Sequence, residues 1–443
     1  MALLDRYLRI AYYTASLLRH THWSRARLER HQNRKVREVV SYAYDHVPFY
    51  HRKFDELGLK PQDITGVKDL NRIPIVRRNE LQEKSDQLVS CDFDASKLKT
   101  VSTSGSTGRP FFTHLTSDED IFRKVKLMRA NMICGQRLRD KWVVITAPQH
   151  EAHALAFQRF LGVFSPVPIS VFDSPAEQVS KIERLDPDVL DGYSSSILLL
   201  ARELEGRRPG TIRPRMAIGG AELIDASSRR YVEQVLGAPF YDEYACVELE
   251  RLAWQCEEKT DHHIDADTVV MQFVDKNGDE VAPGETGEIV CTSLFNYAMP
   301  FIRYAVGDIG RPSRETVCRC GREFPLMSVI EGRKEEMILL PDGRVLSPLA
   351  IGDCMCAYSR FDHIVQYRFI QEKTSVFRVL VAKKKEGVAA EVMEKELLSH
   401  LRGMLRLGEE DADIYVEFVD EIPADTSGKI RKVVSNVRRS TVI

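Results

Sequence analysis

Residues 101–112 read VSTSGSTGRPFF. Glycines and small residues leave backbone N–H groups free, and successive N–H groups in a turn form a concavity for anions. Ser102, Thr103, Ser104, Ser106 and Thr107 add hydroxyl donors, and Arg109 adds a cation. A loop of this chemistry can grip a polyphosphate. It is not a Walker A loop, because Arg109 and Pro110 follow Gly108 where that motif has Lys and a hydroxyl residue. It is not a dinucleotide fingerprint either. A flexible serine–glycine linker is the other reading of the same letters.

A second group of residues has metal chemistry. Cys256 stands seven positions before His263, and Cys318 and Cys320 form a C-x-C pair. Three thiolates and one imidazole are a common tetrahedral zinc set, and a closed set of four is structural. The C-x-C spacing is tighter than the usual C-x-x-C. Cys354 and Cys356 repeat it without a paired histidine nearby and read as small buried residues.

These groups must be carried by an ordered scaffold, and the patterning supplies one. Residues 1 to about 85 read as helices. RKVREVVSYAYDHVPFYHRKFDELG carries apolar residues at three and four spacing, with Gly58 ending it. From about 100 to 330, the short apolar runs WVVITAP, PDVLDGY and PRMAIGGAE alternate with the helical stretches SSILLLARELEG and SSRRYVEQVLG. That alternation predicts βα units and a sheet that is at least partly parallel. After about 333, MILLPDGRVLSP reads as a hairpin around Asp342-Gly343. HIVQYRFIQ and SVFRVLVAKK alternate like half-buried strands, AAEVMEKELLSHLRGML is helical, and DIYVEFVDEI is a strand. This order fits a small, separate α+β domain.

The bulk numbers narrow the class. The chain has 443 residues, a formal charge of −2, 43% hydrophobic and 29% charged residues. These fit a globular chain of two or three domains. Near-neutral charge gives no reason to expect nucleic acid or an acidic membrane surface as partner. The N-terminal MALLDRYLRIAYYTASLLRHTHW is interrupted by Asp5, Arg6, Arg9 and Arg19, so it reads as neither signal peptide nor membrane span. Its aromatic and leucine residues could let it lie on a membrane, and an amphipathic helix packed on its own domain is the favoured reading. Nine cysteines without a secretion signal argue for a reducing cytoplasm and against a disulfide framework.

TSGSTGRP resembles the phosphate loop of the adenylate-forming enzymes, the superfamily of acyl- and aryl-CoA ligases, adenylation domains and luciferases. Five further segments match in the family's order: GGAE at 219–222, YACVE at 244–248, RYAVGDIG at 303–310, EGRKEEMI at 331–338 and TSGKIRK at 426–432. HVPFYHRKFDELGL and DLNRIPIVRRNEL resemble the N-terminal region of the phenylacetate–CoA ligase-like branch. That branch also contains members with a similar Cys, His and Cys-x-Cys arrangement. The match spans roughly residues 30 to 443.

The resemblance implies an α/β fold: a large N-terminal domain of sheets and helices over 1–332, helical over 1–85, that binds ATP and the acid. A small mobile α+β lid over 333–443 carries a catalytic lysine. It implies a two-step reaction, in which a carboxylate displaces pyrophosphate from ATP and a second nucleophile then displaces AMP. Positioning and charge stabilisation carry most of the first step. The loop including Ser104, Gly105, Ser106, Thr107 and Gly108 would hold the β- and γ-phosphates. Gly220, Ala221 and Glu222 would flank adenine, and Tyr244 would stack near it. Asp308 would accept hydrogen bonds from the ribose hydroxyls. Arg333 would contact ribose or phosphate, Glu335 would stand at the hinge, and Glu248 would hold Mg²⁺, a hard cation that wants carboxylate oxygen. Lys429 would reach between carboxylate and α-phosphate.

Tyr193, Phe240 and Tyr241 would wall an acid pocket suited to a flat or aromatic acid, and His150, Glu151 and His153 would add polar groups. Coenzyme A is the implied acceptor. An amine or a carrier-protein thiol, giving an amide ligase or loading enzyme, is the alternative, because no basic cluster for the ADP part of coenzyme A is legible. A non-catalytic scaffold is a third reading, and a homodimer is left open. Ala245 and Val247 depart from the family's Tyr-Gly-x-Thr-Glu pattern, and Val247 cannot donate a hydrogen bond to phosphate. Glu335 stands where Asp or Lys is common.

Overall fold

The computed structural model describes residues 3–102, 111–148, 151, 154, 156–205, 207, 210–384 and 387–437. The phosphate-loop residues Ser104, Gly105, Ser106, Thr107 and Gly108, and the pocket residues His150 and His153, lie outside the described residues. The chain forms two compact units. One comprises Met1–Gly135 and Glu243–Val329, the other Gln136–Asp242 and Ile330–Val442.

The first unit opens with helices α1 (Leu3–His20) and α2 (Arg25–His46). The helical stretch expected to run to Gly58 is broken. Val47 is extended at φ −119° and ψ 108°, and a new helix runs Pro48–Glu56. Proline disfavours the helical conformation of the residue before it and is well placed at a helix's first position, where its missing N–H costs nothing. Leu28, Val36, Val39, Val40 and Ala43 bury one face of α2.

The strands of this unit are mostly antiparallel. Val269–Val274, Gly287–Ser293 and Tyr304–Pro312 form a meander. Glu250–Gln255 pairs on one side with residues 243–246 and on the other with His262–Ile264. Leu326 and Met327 continue the ladder opposite His263 and His262. The helix Ser117–Ile133 packs on these strands through a buried ionic cluster, in which Arg129 bonds Asp267 at 2.6 Å and also pairs with Asp265. Arg251 and Lys126 share Asp265. Burial dominates at Lys126 and pulls its ammonium down to about 8.

In the second unit, Pro166–Ser170, Trp142–Thr146, Val189–Tyr193 and Met216–Gly220 lie side by side in that order, all parallel. The helices Pro175–Leu185 and Ser194–Glu205 connect successive strands, Ala226–Leu236 follows the last, and the three bury Val179, Ile197, Leu200 and Val232 in one core. This is the expected βα alternation. Ala226–Leu236 starts under an Asp225 cap and stops at Gly237, which has φ +63°.

The same unit contains a four-stranded sheet in the order Asp413–Phe418, Val376–Lys383, Ile364–Lys373, Val433–Ser435. The helix Ala390–Leu405 lays Met393, Leu397, Leu401 and Leu405 into its core. The hairpin around Asp342-Gly343 is present, pairing Ile338–Leu339 with Val345–Leu346. Two elements go beyond the sequence reading: the helix Pro348–Cys356, and the strand Val433–Ser435, parallel to Ile364–Lys373. The α/β architecture with a C-terminal α+β part is as expected. Cys354 is buried and Cys356 half-buried on that helix.

Candidate active site and metal centre

In the first unit, two strands bring two motif residues together. Tyr244 is 6% exposed and donates its hydroxyl to Asp308 Oδ2 at 2.7 Å. Burial pushes its phenol well above the ordinary tyrosine range, and the Asp308 charge adds to that. Asp308 itself is half-buried.

Glu248 is 1% exposed, and its Oε1 accepts from Arg78 Nη2 at 2.6 Å and from Tyr304 Oη at 2.8 Å. No donor among the described residues reaches Oε2. That lone oxygen is a fitting ligand for a hard cation such as Mg²⁺. Burial works against the Arg78 charge, but Glu248 and Tyr304 outweigh it and hold the guanidinium raised. Arg123 supports the same segment from the helix Ser117–Ile133. It donates to the carbonyls of Val247 at 2.7 Å and Glu248 at 3.0 Å, and to the Glu250 carboxylate. Ala245, Val247 and Glu248 thus stand on a backbone fixed by an arginine more than a hundred residues away in sequence.

Arg78 and Arg123 were not singled out in the sequence. Arg78 sits in the quoted VRRNEL, so a signal existed, but one arginine in a basic run has nothing to distinguish it. Arg123 lies on a helix with six other charged residues and carries no local signal.

The four zinc-type residues converge in the same unit. Their ligand atoms all lie within 4.8 Å of one another. Cys256 Sγ is 3.6 Å from Cys318 Sγ, and Cys320 Sγ is 3.4 Å from His263 Nε2. Zn–S bonds of about 2.3 Å and Zn–N bonds of about 2.1 Å in a tetrahedron require edges of roughly 3.6–3.8 Å. The donor set and its spacing therefore fit a zinc ion. His263 stacks on Trp254 at 4.9 Å between ring centres, and burial pulls its imidazole down to about 4, which keeps it neutral, the form that binds metal. Its neighbour His262 is buried outside the cluster. This side chain choice follows from strand alternation: the two histidines point to opposite faces of His262–Ile264.

In the second unit, the segment GGAE turns sharply. Gly220 ends its strand opposite Tyr193, and Ala221 has φ +65°. A left-handed non-glycine residue is uncommon and is found where surrounding structure enforces it. Gly219 has no room for a side chain, because a Cβ there would lie 2.1 Å from Phe240 Cζ. The Glu222 carboxylate then accepts two backbone N–H groups, Ser195 at 3.0 Å and Ile430 at 2.6 Å. Burial raises its carboxyl above the ordinary range, and the two N–H bonds and the nearby Lys429 charge offset part of that.

The Ile430 bond anchors the TSGK turn. Asp425 accepts from the N–H groups of Ser427 at 2.8 Å and Lys429 at 3.2 Å. Tyr193 donates to Ser427 O at 3.2 Å. Gly428 has φ +85°, and a Cβ there would lie 2.4 Å from Val171 Cγ1. Lys432 pairs with Asp225 at 3.3 Å. The backbone of Lys429 is thus held on both sides. Of the pocket residues, Tyr193 and Tyr241 are buried with 9% and 7% exposure, and Phe240 lies wholly in the core beside Gly219. Arg333 is half-buried and caps the short turn Lys334–Glu336, in which Glu335 is exposed.

Comparison with known proteins gives this chain a set of relatives. The CapK C-terminal domain family matches residues 341–436. The phenylacetate–coenzyme A ligase of Thermus thermophilus is 28% identical over 332 residues, covering 71% of this chain and 72% of that protein. The CapK protein of Staphylococcus aureus is 20% identical over 427 residues, covering 92% and 89%. A crystal structure of 2-hydroxyisobutyryl-CoA ligase in its postadenylation state has the same fold at a TM-score of 0.79. It is 21% identical and covers 94% of this chain and 91% of its own. The chain is phenylacetate–CoA ligase-like: four phenylacetate–coenzyme A ligases are 27–29% identical to it over 70–73% of its length.

Proposed function

We infer that this chain activates a carboxylic acid with ATP, releasing pyrophosphate and forming acyl-AMP, and transfers the acyl group to the thiol of coenzyme A. The observation that carries the reading is the doubly anchored Lys429 turn, with Glu222 and Asp425 fixing the backbone on either side of the lysine. A solvated tail lysine needs no such support. Lys429 neutralises charge between the attacking carboxylate and the α-phosphate as the bond forms. Asp308, oriented by Tyr244, accepts from ribose. Gly220, Ala221 and Glu222 flank adenine, Ser104 to Gly108 hold the phosphates, and Arg333 contacts ribose or phosphate at a hinge that includes Glu335. Residues 333–443 act as the lid.

Glu248 would hold Mg²⁺ through Oε2, and the ion would supply charge neutralisation on the phosphates. Cys256, His263, Cys318 and Cys320 would hold a structural zinc that ties the segment after Glu248 to the loop at 318–320. The acid is aromatic, a reading supported by Tyr193 and Tyr241, with His150 and His153 as polar pocket groups. Nine free thiols support a reducing cytoplasm.

The half-reactions test the role of Lys429. Lys429→Ala should abolish acid-dependent pyrophosphate release yet leave thioester formation from supplied acyl-adenylate largely intact. Equal loss of both would remove the assigned role. An amine or carrier protein replacing coenzyme A in the second half-reaction would change the acceptor and leave the adenylation chemistry standing.

A further inference from the structure

The first unit has a basic face that the adenylation chemistry does not use. Between positions 19 and 37 the sequence has seven Lys or Arg residues and one acid, Glu29. The local charge is seven minus one, +6, in a chain whose total is −2. Near-neutral net charge therefore hides a strong asymmetry. The structure gathers this charge around a cleft of about 920 Å³ between α1 and α2, lined by Arg19, Arg27, Arg30, Arg34, Lys35 and Arg37 together with Tyr12 and Trp23. Arg34 and Lys35 share Glu38. Arg19, Arg27, Arg30 and Arg37 have no carboxylate partner among the described residues, and the Arg27 guanidinium stacks 4.5 Å above the Trp23 ring.

Beside the charge lies apolar surface. On α1, Leu8 is 61% and Tyr12 is 68% exposed, one helical turn apart on the same face. Aromatic rings and leucine next to a polybasic patch are what an interfacial helix presents to lipid headgroups, and membrane binding needs both signals together. A soluble polyanion would use the arginines and leave Leu8 and Tyr12 unexplained. No helix among the described residues is long and apolar enough to cross a membrane.

We propose that α1 and α2 form a docking surface for an anionic phospholipid membrane. Arg27, Arg30 and Arg34 contact headgroup phosphates, and Leu8 and Tyr12 enter the headgroup–acyl boundary. Juxtamembrane basic residues each contribute about 1 kcal/mol at an anionic surface, roughly fivefold in partitioning per charge.

The test is co-sedimentation of the full chain with vesicles of pure phosphatidylcholine and of equal parts phosphatidylcholine and phosphatidylglycerol. Binding is expected only to the second, falling as salt is raised. Reversing Arg27, Arg30 and Arg34 to Glu should weaken it more than tenfold. Leu8→Ser with Tyr12→Ser should also weaken it severalfold, while adenylation in solution and circular dichroism stay at wild-type values for both variants. No binding to either vesicle, or equal binding to both, overturns the proposal. So does full retention of vesicle binding by the Leu8/Tyr12 variant, which would make the face a site for a soluble polyanion or an acidic protein.

Discussion

The Tyr244 hydroxyl donates to Asp308 Oδ2 across 2.7 Å, joining two motif residues that are 64 positions apart. The bond holds the Asp308 carboxylate in a set orientation. Tyr244→Phe should keep the packing and remove this bond. A hydrogen bond to a charged group is worth about 1.5–3 kcal/mol, so the KM for ATP should rise by roughly 10- to 100-fold, with kcat less affected. An unchanged KM would mean that Asp308 does not bind nucleotide in the manner proposed.

Arg78, half-buried, pairs with Glu248, which is buried. Removing one partner leaves an uncompensated charge in the interior, at a cost of about 3–5 kcal/mol. Arg78→Leu should therefore lower the urea midpoint clearly, and Arg78→Leu with Glu248→Gln should recover part of the loss. A double variant no more stable than Arg78→Leu alone would show that the two do not act as a pair.

Much of this site was legible in the sequence, and what was missed has identifiable causes. Cys256, His263, Cys318 and Cys320 could be found because their chemistry announces itself by residue type. The TSGKIRK segment was legible through its resemblance to the family's lysine motif, whereas the turn that Asp425 closes around Lys429 was not read. Arg78 and Arg123 were not legible, because their partners Glu248 and Val247 lie 170 and 124 positions away. The break at Val47 was missed although Pro48 signalled it, since the apolar spacing continues across the break. The strand Val433–Ser435 has three residues, too few for periodicity, and it is defined by pairing with Phe369, Ile370 and Gln371. The charge on α1 and α2 was averaged away by an acidic remainder.

The zinc reading predicts one equivalent of metal per chain by elemental analysis of the purified protein. Cys318→Ser should lose the metal and lower the thermal midpoint, because metal-binding free energy contributes to folding free energy. A stable wild-type chain free of zinc, with the three thiols of Cys256, Cys318 and Cys320 titratable, would contradict it.

Asp191, on the strand Val189–Tyr193, accepts from Trp142 Nε1 at 3.2 Å, and burial pushes its carboxyl up to about 7. The unfolded group titrates near the ordinary aspartate value. Below that value both states are protonated; as pH rises toward 7 the unfolded state ionises first and stability is lost. Asp191→Asn keeps an acceptor for Trp142 and removes the titration. The variant should gain stability over wild type at about pH 8 and lose that gain at about pH 4. A constant difference across this range would assign Asp191 an ionised state throughout.

The central claim is adenylation of a carboxylic acid, and pyrophosphate release reads it directly. The purified chain should be incubated with Mg-ATP and a panel of aromatic and aliphatic acids, with and without coenzyme A. The account predicts release that depends on one aromatic acid and is raised by coenzyme A, with the thioester as product. Protein that binds ATP but releases no pyrophosphate with any acid in the panel would contradict it.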